Sequence, residues 1–363
     1  MLKMTSKERL QAGLNGAPSD RVPYSPNLAY FFDQLPEKYR SLGHLNFCKL
    51  IDADLLNRFG PCPVKAILPE KLIVKNYESS DRIITEHVTP VGVLRKVVAK
   101  SKEGHTSFLI EHPLKSKEDY KIQIWIEENT KFESDSEPVK NCFAENPDAL
   151  HLGMLIPERM KSAFQFMVEH LAGTEELIYN LYDFPEIVNE LWTVMVSNNL
   201  AAVRIAALSE YEYFITWEDS STQNYSPVFY QQYIASEISR WVDVLASNNK
   251  KYIQHACGHV KDLLPIMKST KIHSIESIAP APTGNVMLKD ARQCLGDKIG
   301  IIGGIEPTEL LNRSVEKLEH YVEQIIADCQ GGPFILANSD SCPPGVTIEK
   351  LAFISQIAKR HKV

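Results

Sequence analysis

The chain has 363 residues, 44% of them hydrophobic and 9% aromatic, which is ample for a sizeable core. A net charge of −7 without a basic patch argues against a nucleic-acid partner, and no run approaches the ~20 apolar residues of a membrane-spanning helix. Seven scattered cysteines (Cys48, Cys62, Cys142, Cys257, Cys294, Cys329, Cys342) and no signal peptide point to a reducing cytoplasm rather than a disulfide framework.

The opening stretch "MTSKERLQAGLNGAPSDRVPYSP" reads as a helix capped near Ser6, a Gly-Ala-Pro loop, and a strand at Arg21 to Tyr24. Residues 71 to 110 alternate apolar and polar positions around Ser-Ser-Asp, Pro-Val-Gly and Lys-Glu-Gly turns, so they predict a β-rich insertion of antiparallel strands. "ERMKSAFQFMVEHLAG" and the long stretch after it carry helical periodicity, with Pro185 starting a new helix after Asp183.

The second half is regular. Strands are predicted at 213–219, 251–258, 271–278, 297–305 and 332–341, each followed by an amphipathic helix. Five βα units at the end of a chain of this length predict an α/β fold, a single (β/α)8 TIM barrel spanning residues 1–363 with the 71–110 insertion inside it. No GxGxxG or Walker pattern follows any strand, which weakens the nucleotide-binding readings; Gly303-Gly304 fits a tight strand-to-loop turn.

In such a barrel, catalytic residues sit at the C-terminal ends of strands. "KYIQHACGHV" ends its strand with His255 and Cys257, two apart and so on one face. The next strand, "IHSIES", places Glu276 at the equivalent height, and the last strand delivers Cys342 in "NSDSCPPG". One His, two thiolates and a carboxylate suit a tetrahedral zinc shell, and the soft thiolates argue against magnesium or calcium. The bland alternative stays open: a satisfied core His, a strand-end carboxylate and buried cysteines acting as small hydrophobes. His259 lies past Gly258 and ranks behind Glu276 as a ligand.

"SKERLQAGLNGAPSDRVPY", "IGIIGGIEPTELL" and "FILANSDSCPPGVTIEKL" resemble the uroporphyrinogen decarboxylase superfamily over most of the chain. His255-x-Cys257 with a distant Cys342 is similar to the zinc motif of its corrinoid-dependent methyltransferases, which include the methylcobalamin:coenzyme M enzymes and the O-demethylase components. In the related cobalamin-independent methionine synthases the motif is His-x-Cys, a Glu in a similar "SIE" strand, then Cys; Glu276 matches that Glu. The resemblance therefore implies Zn2+ held by His255, Cys257, Glu276 and Cys342, and a cobalamin-type corrinoid carried by a partner protein.

Two departures bear on the branch. "SPNLAYFFDQLPEKY" has no arginine where the decarboxylases carry an Arg-rich segment for acidic tetrapyrroles, which argues against porphyrinogen decarboxylation. Cys342 directly precedes Pro343, and Asp340 lies nearer the slot that the last Cys occupies in the coenzyme M enzymes. The segment "VTPVGVLRKV" resembles the O-demethylase group, so the expected reaction moves a methyl group from a small methylated substrate, an aryl methyl ether first, to Co(I). Glu276 is then the ligand expected to yield to substrate, and Asp219 or Glu218 manages the proton of the released phenol. Trp217, Glu218, Asp219, Asn338 and Asp340 are the substrate-binding candidates, with Tyr30 and Phe31 as aromatic flanks; a helix-capping role for residues 217 to 219 is the alternative. Three rival readings are a thiol methyltransferase, the decarboxylase itself, and a structural-zinc scaffold that binds a corrinoid protein.

Overall fold

The computed structural model describes residues 3–101 and 107–362. Its centre is a parallel sheet of seven strands in the order β1-β8-β9-β10-β11-β12-β13. These are β1 (Leu56–Gly60), β8 (Leu150–Met154), β9 (Tyr213–Trp217), β10 (Lys251–His255), β11 (Ser274–Ile278), β12 (Gly300–Ile305) and β13 (Phe334–Asn338). Nearly all their residues are buried, as expected of parallel strands covered on both sides.

The sheet is curled, and one short segment meets both of its edges. On β13, Leu336 O accepts from Ser25 N and Leu336 N donates to Pro23 O, while Asp54 N, just ahead of β1, donates to Tyr24 O. The eighth strand of the expected barrel is thus reduced to a single bridge, Tyr24 to Leu336. Pro23 and Pro26 flank it, and proline supplies no N–H to a ladder.

The inward-facing side chains form their own apolar cluster, including Leu152, Tyr213, Ile215, Ile253, Ile302 and Ile335. Leu10 and Leu14 of the helix Ser6–Asn15 close this cluster from the strands' N-terminal end. Thr5, not Ser6, caps that helix through a capping box with Glu8; the Ser6 hydroxyl instead accepts from Leu55 N at 2.6 Å. With one end plugged, the open C-terminal end is left for a site.

The stretch predicted as β-rich folds as an antiparallel sheet of β3 (Ile73–Glu78), β4 (Arg82–Thr89), β5 (Gly92–Lys100) and β6 (Ser107–Glu111); residues 102–106 lie outside the described residues. A two-stranded pair, β2 (Val64–Ile67) with β7 (Lys131–Ser134), flanks it in sequence. The strands of the second half are shorter than predicted: β9 stops at Trp217 and β10 at His255. Asp219 and Cys257 therefore belong to loops. Two helices carry π-helical turns where the sequence reads as plain helix, at Met167–Leu171 and Tyr230–Ala235. Such turns are frequent at functional sites.

Candidate metal and substrate site

His255 ends β10 with its ring almost wholly buried. Its Nδ1 lies 3.0 Å from Glu276 Oε2, and its Nε2 looks toward Asp219 Oδ1 at 3.8 Å. A carboxylate on Nδ1 fixes the proton there and leaves Nε2 to serve as a ligand atom. The register explains the meeting, because His255 pairs directly with Glu276 across β10 and β11. The other oxygen of Glu276 is gripped by Arg58 Nε of β1 at 2.5 Å. Arg58 is itself buried and donates to the Ser25 carbonyl at 2.7 Å, so the closing segment of the sheet holds the pair in place.

Burial alone would raise the Glu276 carboxyl, but the charge of Arg58 and the bond from His255 hold it down at about 2. Burial also opposes charge on His255, yet the hydrogen bond and charge of Glu276 prevail and raise it. Each partner thus favours the charged form of the other.

Asp219 and Cys257 complete the cluster. Cys257 Sγ donates to Asp219 Oδ1 at 3.2 Å, while Lys161 Nζ donates to Asp219 Oδ2 at 3.0 Å. Asp219 has a left-handed backbone, φ 40°, which Asp tolerates better than most residues. Gly258 follows Cys257 at φ 105°, and a Cβ there would sit 2.9 Å from Ser221 Cβ; the loop needs glycine to pass so close to the 220–221 backbone. One ligand atom each from Asp219, His255 and Cys257 lies within 4.8 Å of the others, a set able to hold a metal ion. The donor chemistry fits a cation. Burial and the Asp219 and Asp340 charges push the Cys257 thiol far up, so this site accommodates a thiolate only if positive charge is added.

The remaining sequence candidates divide. Trp217, Asp219, His255 and Asp340 line one cavity of about 770 Å³ above the strand ends. Trp217 stacks on Phe59 at 5.2 Å and tilts against the His255 ring at 4.5 Å, and Tyr30 lines the same space; Phe31 is buried in the core. Asp340 turns one carboxylate oxygen onto Ser341 N at 2.6 Å, and burial raises its carboxyl. Glu218 points away from the cavity: Ser162 N and Oγ and Thr216 Oγ1 donate to it at 2.7 to 2.8 Å, and burial pushes it up to about 7. Asn338 clamps Asn27, accepting from its N–H and donating to its carbonyl. Cys342 is fully buried, its backbone N–H on Asn27 O and its Sγ 3.9 Å from the Pro343 carbonyl. Neither Glu276 nor Cys342 belongs to the ligand-atom cluster, and His259 is tied by its backbone to Thr222 and Ser221.

Three residues of the site carry no sequence signal that spacing could detect. Arg58 lies 218 positions from Glu276. Lys161 and Glu169 pair with each other beside Asp219, from a loop and from the π-helical turn. A charged residue in a short apolar strand, as in "LLNRFG", is the one hint for Arg58.

Over its full length the chain is similar in fold to a methyltransferase from Methanosarcina mazei, with a TM-score of 0.63, 12% identity and 99% of each chain covered. A B12-independent methionine synthase from Shewanella aligns with a TM-score of 0.44 at 9% identity, covering 94% of this chain and 95% of that one. A putative vitamin-B12 independent methionine synthase from Listeria monocytogenes aligns with a TM-score of 0.36 at 11% identity, over 52% of this chain and 62% of that one. No curated protein matches in sequence. Residues 162–361, more than half the chain and all of its last five strands, match the uroporphyrinogen decarboxylase (URO-D) family, and the chain belongs to that family.

Proposed function

We propose that this protein is a zinc-dependent methyltransferase that moves a methyl group from a small methylated substrate, an aryl methyl ether first, to Co(I) of a corrinoid protein. The observation that carries the reading is a metal-capable triad, Asp219, His255 and Cys257, of which Asp219 and His255 line an aromatic-walled cavity of about 770 Å³. His255 Nε2, Cys257 Sγ and the Asp219 carboxylate would hold the ion. A bound zinc supplies a Lewis acid for the ether oxygen, which otherwise leaves as a poor phenolate.

The protein's own residues do the rest. Glu276 and Arg58 keep the His255 ring oriented. Lys161 neutralises part of the negative charge on Asp219. Trp217 and Phe59, stacked at the cavity wall, offer aromatic faces to an arene. The methyl–oxygen bond breaks with its electron pair on oxygen, the new carbon bond forms with the electron pair of Co(I), and the phenolate takes a proton from water on release. The family's decarboxylase reaction has less support: among the described residues the one arginine lining the cavity, Arg159, is paired with Glu127.

The test combines elemental analysis with methylcobalamin formation from cob(I)alamin and a panel of methoxyarenes, methylamines and methylated thiols. About one zinc per chain, ether-dependent methylation, and loss of both in Cys257→Ala are expected. Full zinc in that variant sinks the ligand set. Methylation from thioethers alone moves the reaction to the thiol class, and zinc without any methyl transfer leaves a scaffold.

A further inference from the structure

The cavity has a second chemical feature besides the triad, carried by the small antiparallel sheet. Its roof is one face of the small antiparallel sheet. Val74 pairs with His87 and His87 with Leu94, while Thr85 pairs with both Asn76 and Lys96. Strand alternation puts Val74, Thr85, His87, Leu94 and Lys96 on the same side of the pleat, and all five line the cavity. Val74 and Leu94 make that lining apolar beside Thr85, so a lysine and a histidine there are conspicuous.

Among the described residues Lys96 has no carboxylate within salt-bridge distance. His87 on the same sheet face and His170 on the π-helical turn line the cavity with it, so the three side chains border one space. The acids nearby are committed. Glu169, 3.6 Å from His170, is bonded to Lys161 and Gln165, and Glu127 is bonded to Arg159. Asp219 and Asp340 line the same cavity. The cavity thus carries, besides its paired charges, a lysine free of any such partner, with the Phe166, Trp217 and Phe59 rings lining it.

We infer that Lys96, flanked by His87 and His170, is an anion-reading subsite, and that the methyl donor carries a carboxylate or similar oxyanion at the end remote from its methyl group. This rests on the methyltransferase reading of the triad and adds the substrate's charge to it. Lys96 attracts the anion, so an arene held between the sheet and the triad turns its methyl end to the metal-capable cluster. A lysine that merely lays its stem on apolar surface would show no such preference.

The experiment measures binding to the full chain by calorimetry, without cobalt. The probes are 4-methoxybenzoate, 4-methoxyphenylacetate and 4-methoxycinnamate, each against its neutral primary amide, so that the distance between methyl and carboxylate is varied. At least one acid is expected to bind about tenfold or more tightly than its amide, as a charge-assisted hydrogen bond provides. Lys96→Met should reduce that ratio to about twofold or less, Lys96→Arg should keep it, and added salt should lower it. Equal binding of every acid and amide, absence of acid binding, or an undiminished ratio in Lys96→Met overturns the subsite. Separate cob(I)alamin assays distinguish the two failures. A Lys96-dependent acid preference without methyl transfer from any ether refutes the reaction and leaves the subsite; ether cleavage without an acid preference does the reverse.

Discussion

Replacing Arg58 by methionine tests whether Glu276 orients His255 or binds the metal itself. Arg58 and Glu276 are each about 2% exposed, so the substitution strands a buried carboxylate beside His255. Breaking such a pair costs about 3–5 kcal/mol of stability, and the carboxylate relieves part of that by taking up a proton. A neutral Glu276 no longer fixes the imidazole tautomer through Nδ1. Loss of such a partner lowers metal affinity by about 10–100-fold, or about 1.4–2.7 kcal/mol. The assay is zinc competition with a chromophoric chelator at fixed pH, paired with urea unfolding in excess chelator so that stability and affinity are read separately. Removing both partners, Arg58→Met with Glu276→Gln, should recover part of the stability while zinc affinity stays as low as in the single variant. If Glu276 is instead a direct ligand, freeing it from Arg58 makes it more available. Unchanged or tighter zinc binding in Arg58→Met would refute the orienting role.

Other expectations follow from the surroundings of the site. Asn338→Leu leaves the Asn27 N–H and carbonyl without their side-chain partners and should cost about 2–4 kcal/mol in thermal unfolding; unchanged stability with impaired ligand binding would return Asn338 to the substrate pocket. Glu218→Ala removes the acceptor of Ser162 N and Oγ and should lower stability by about 2–3 kcal/mol, and an unchanged melting temperature would contradict that anchoring role. Asp20 is held at about 2 chiefly by its hydrogen bond to Arg9, so its contribution is present above its unfolded value of 3.8 and is lost as pH falls toward 2. Asp20→Asn should accordingly be about 1–2 kcal/mol less stable than the native chain at pH 7 and indistinguishable from it near pH 2, a convergence that chemical denaturation across pH can check.

The parts of this architecture legible in the sequence are those written in local period. Alternation over 71–110 announced an antiparallel sheet, and four strands lie there. Strand and helix periods in the second half announced the βα order, and β9 to β13 follow it. His255 and Glu276 could be set side by side because neighbouring strands share a register. Which way the next residues turn was not legible. Asp219 and Cys257 lie past the ends of their strands, where alternation no longer assigns a face, and a left-handed φ at Asp219 decides where its carboxylate goes. Cys342 illustrates the same gap: its position after β13 is readable, but the bond of its backbone to Asn27, far back in the chain, sets where its thiol sits. For Arg58 the charge in an apolar strand is the one hint, because a salt bridge between β1 and β11 depends on closing the sheet and leaves no trace in spacing.

The loops that carry the site are held by buried acids, and this explains why so irregular a stretch can be positioned accurately. Glu158, Met160 and Asp219 all have positive φ, a conformation that costs energy for such residues and persists only when the surroundings over-determine it. Two carboxylates supply that constraint. Glu218 takes the N–H and hydroxyl of Ser162, and Glu237, pushed up to about 8 by burial, takes the next N–H at Ala163 and the amide of Asn199. Trp217 N adds a bond to the Met160 carbonyl at 2.7 Å. Lys161 lies between these fixed points, so its ammonium is delivered to Asp219 by backbone bonds on both sides rather than by its own flexible stem. The acids that stand outside the ligand cluster thus govern where its counter-charge stands, and through Lys161 they bear on how much positive charge a bound ion must bring.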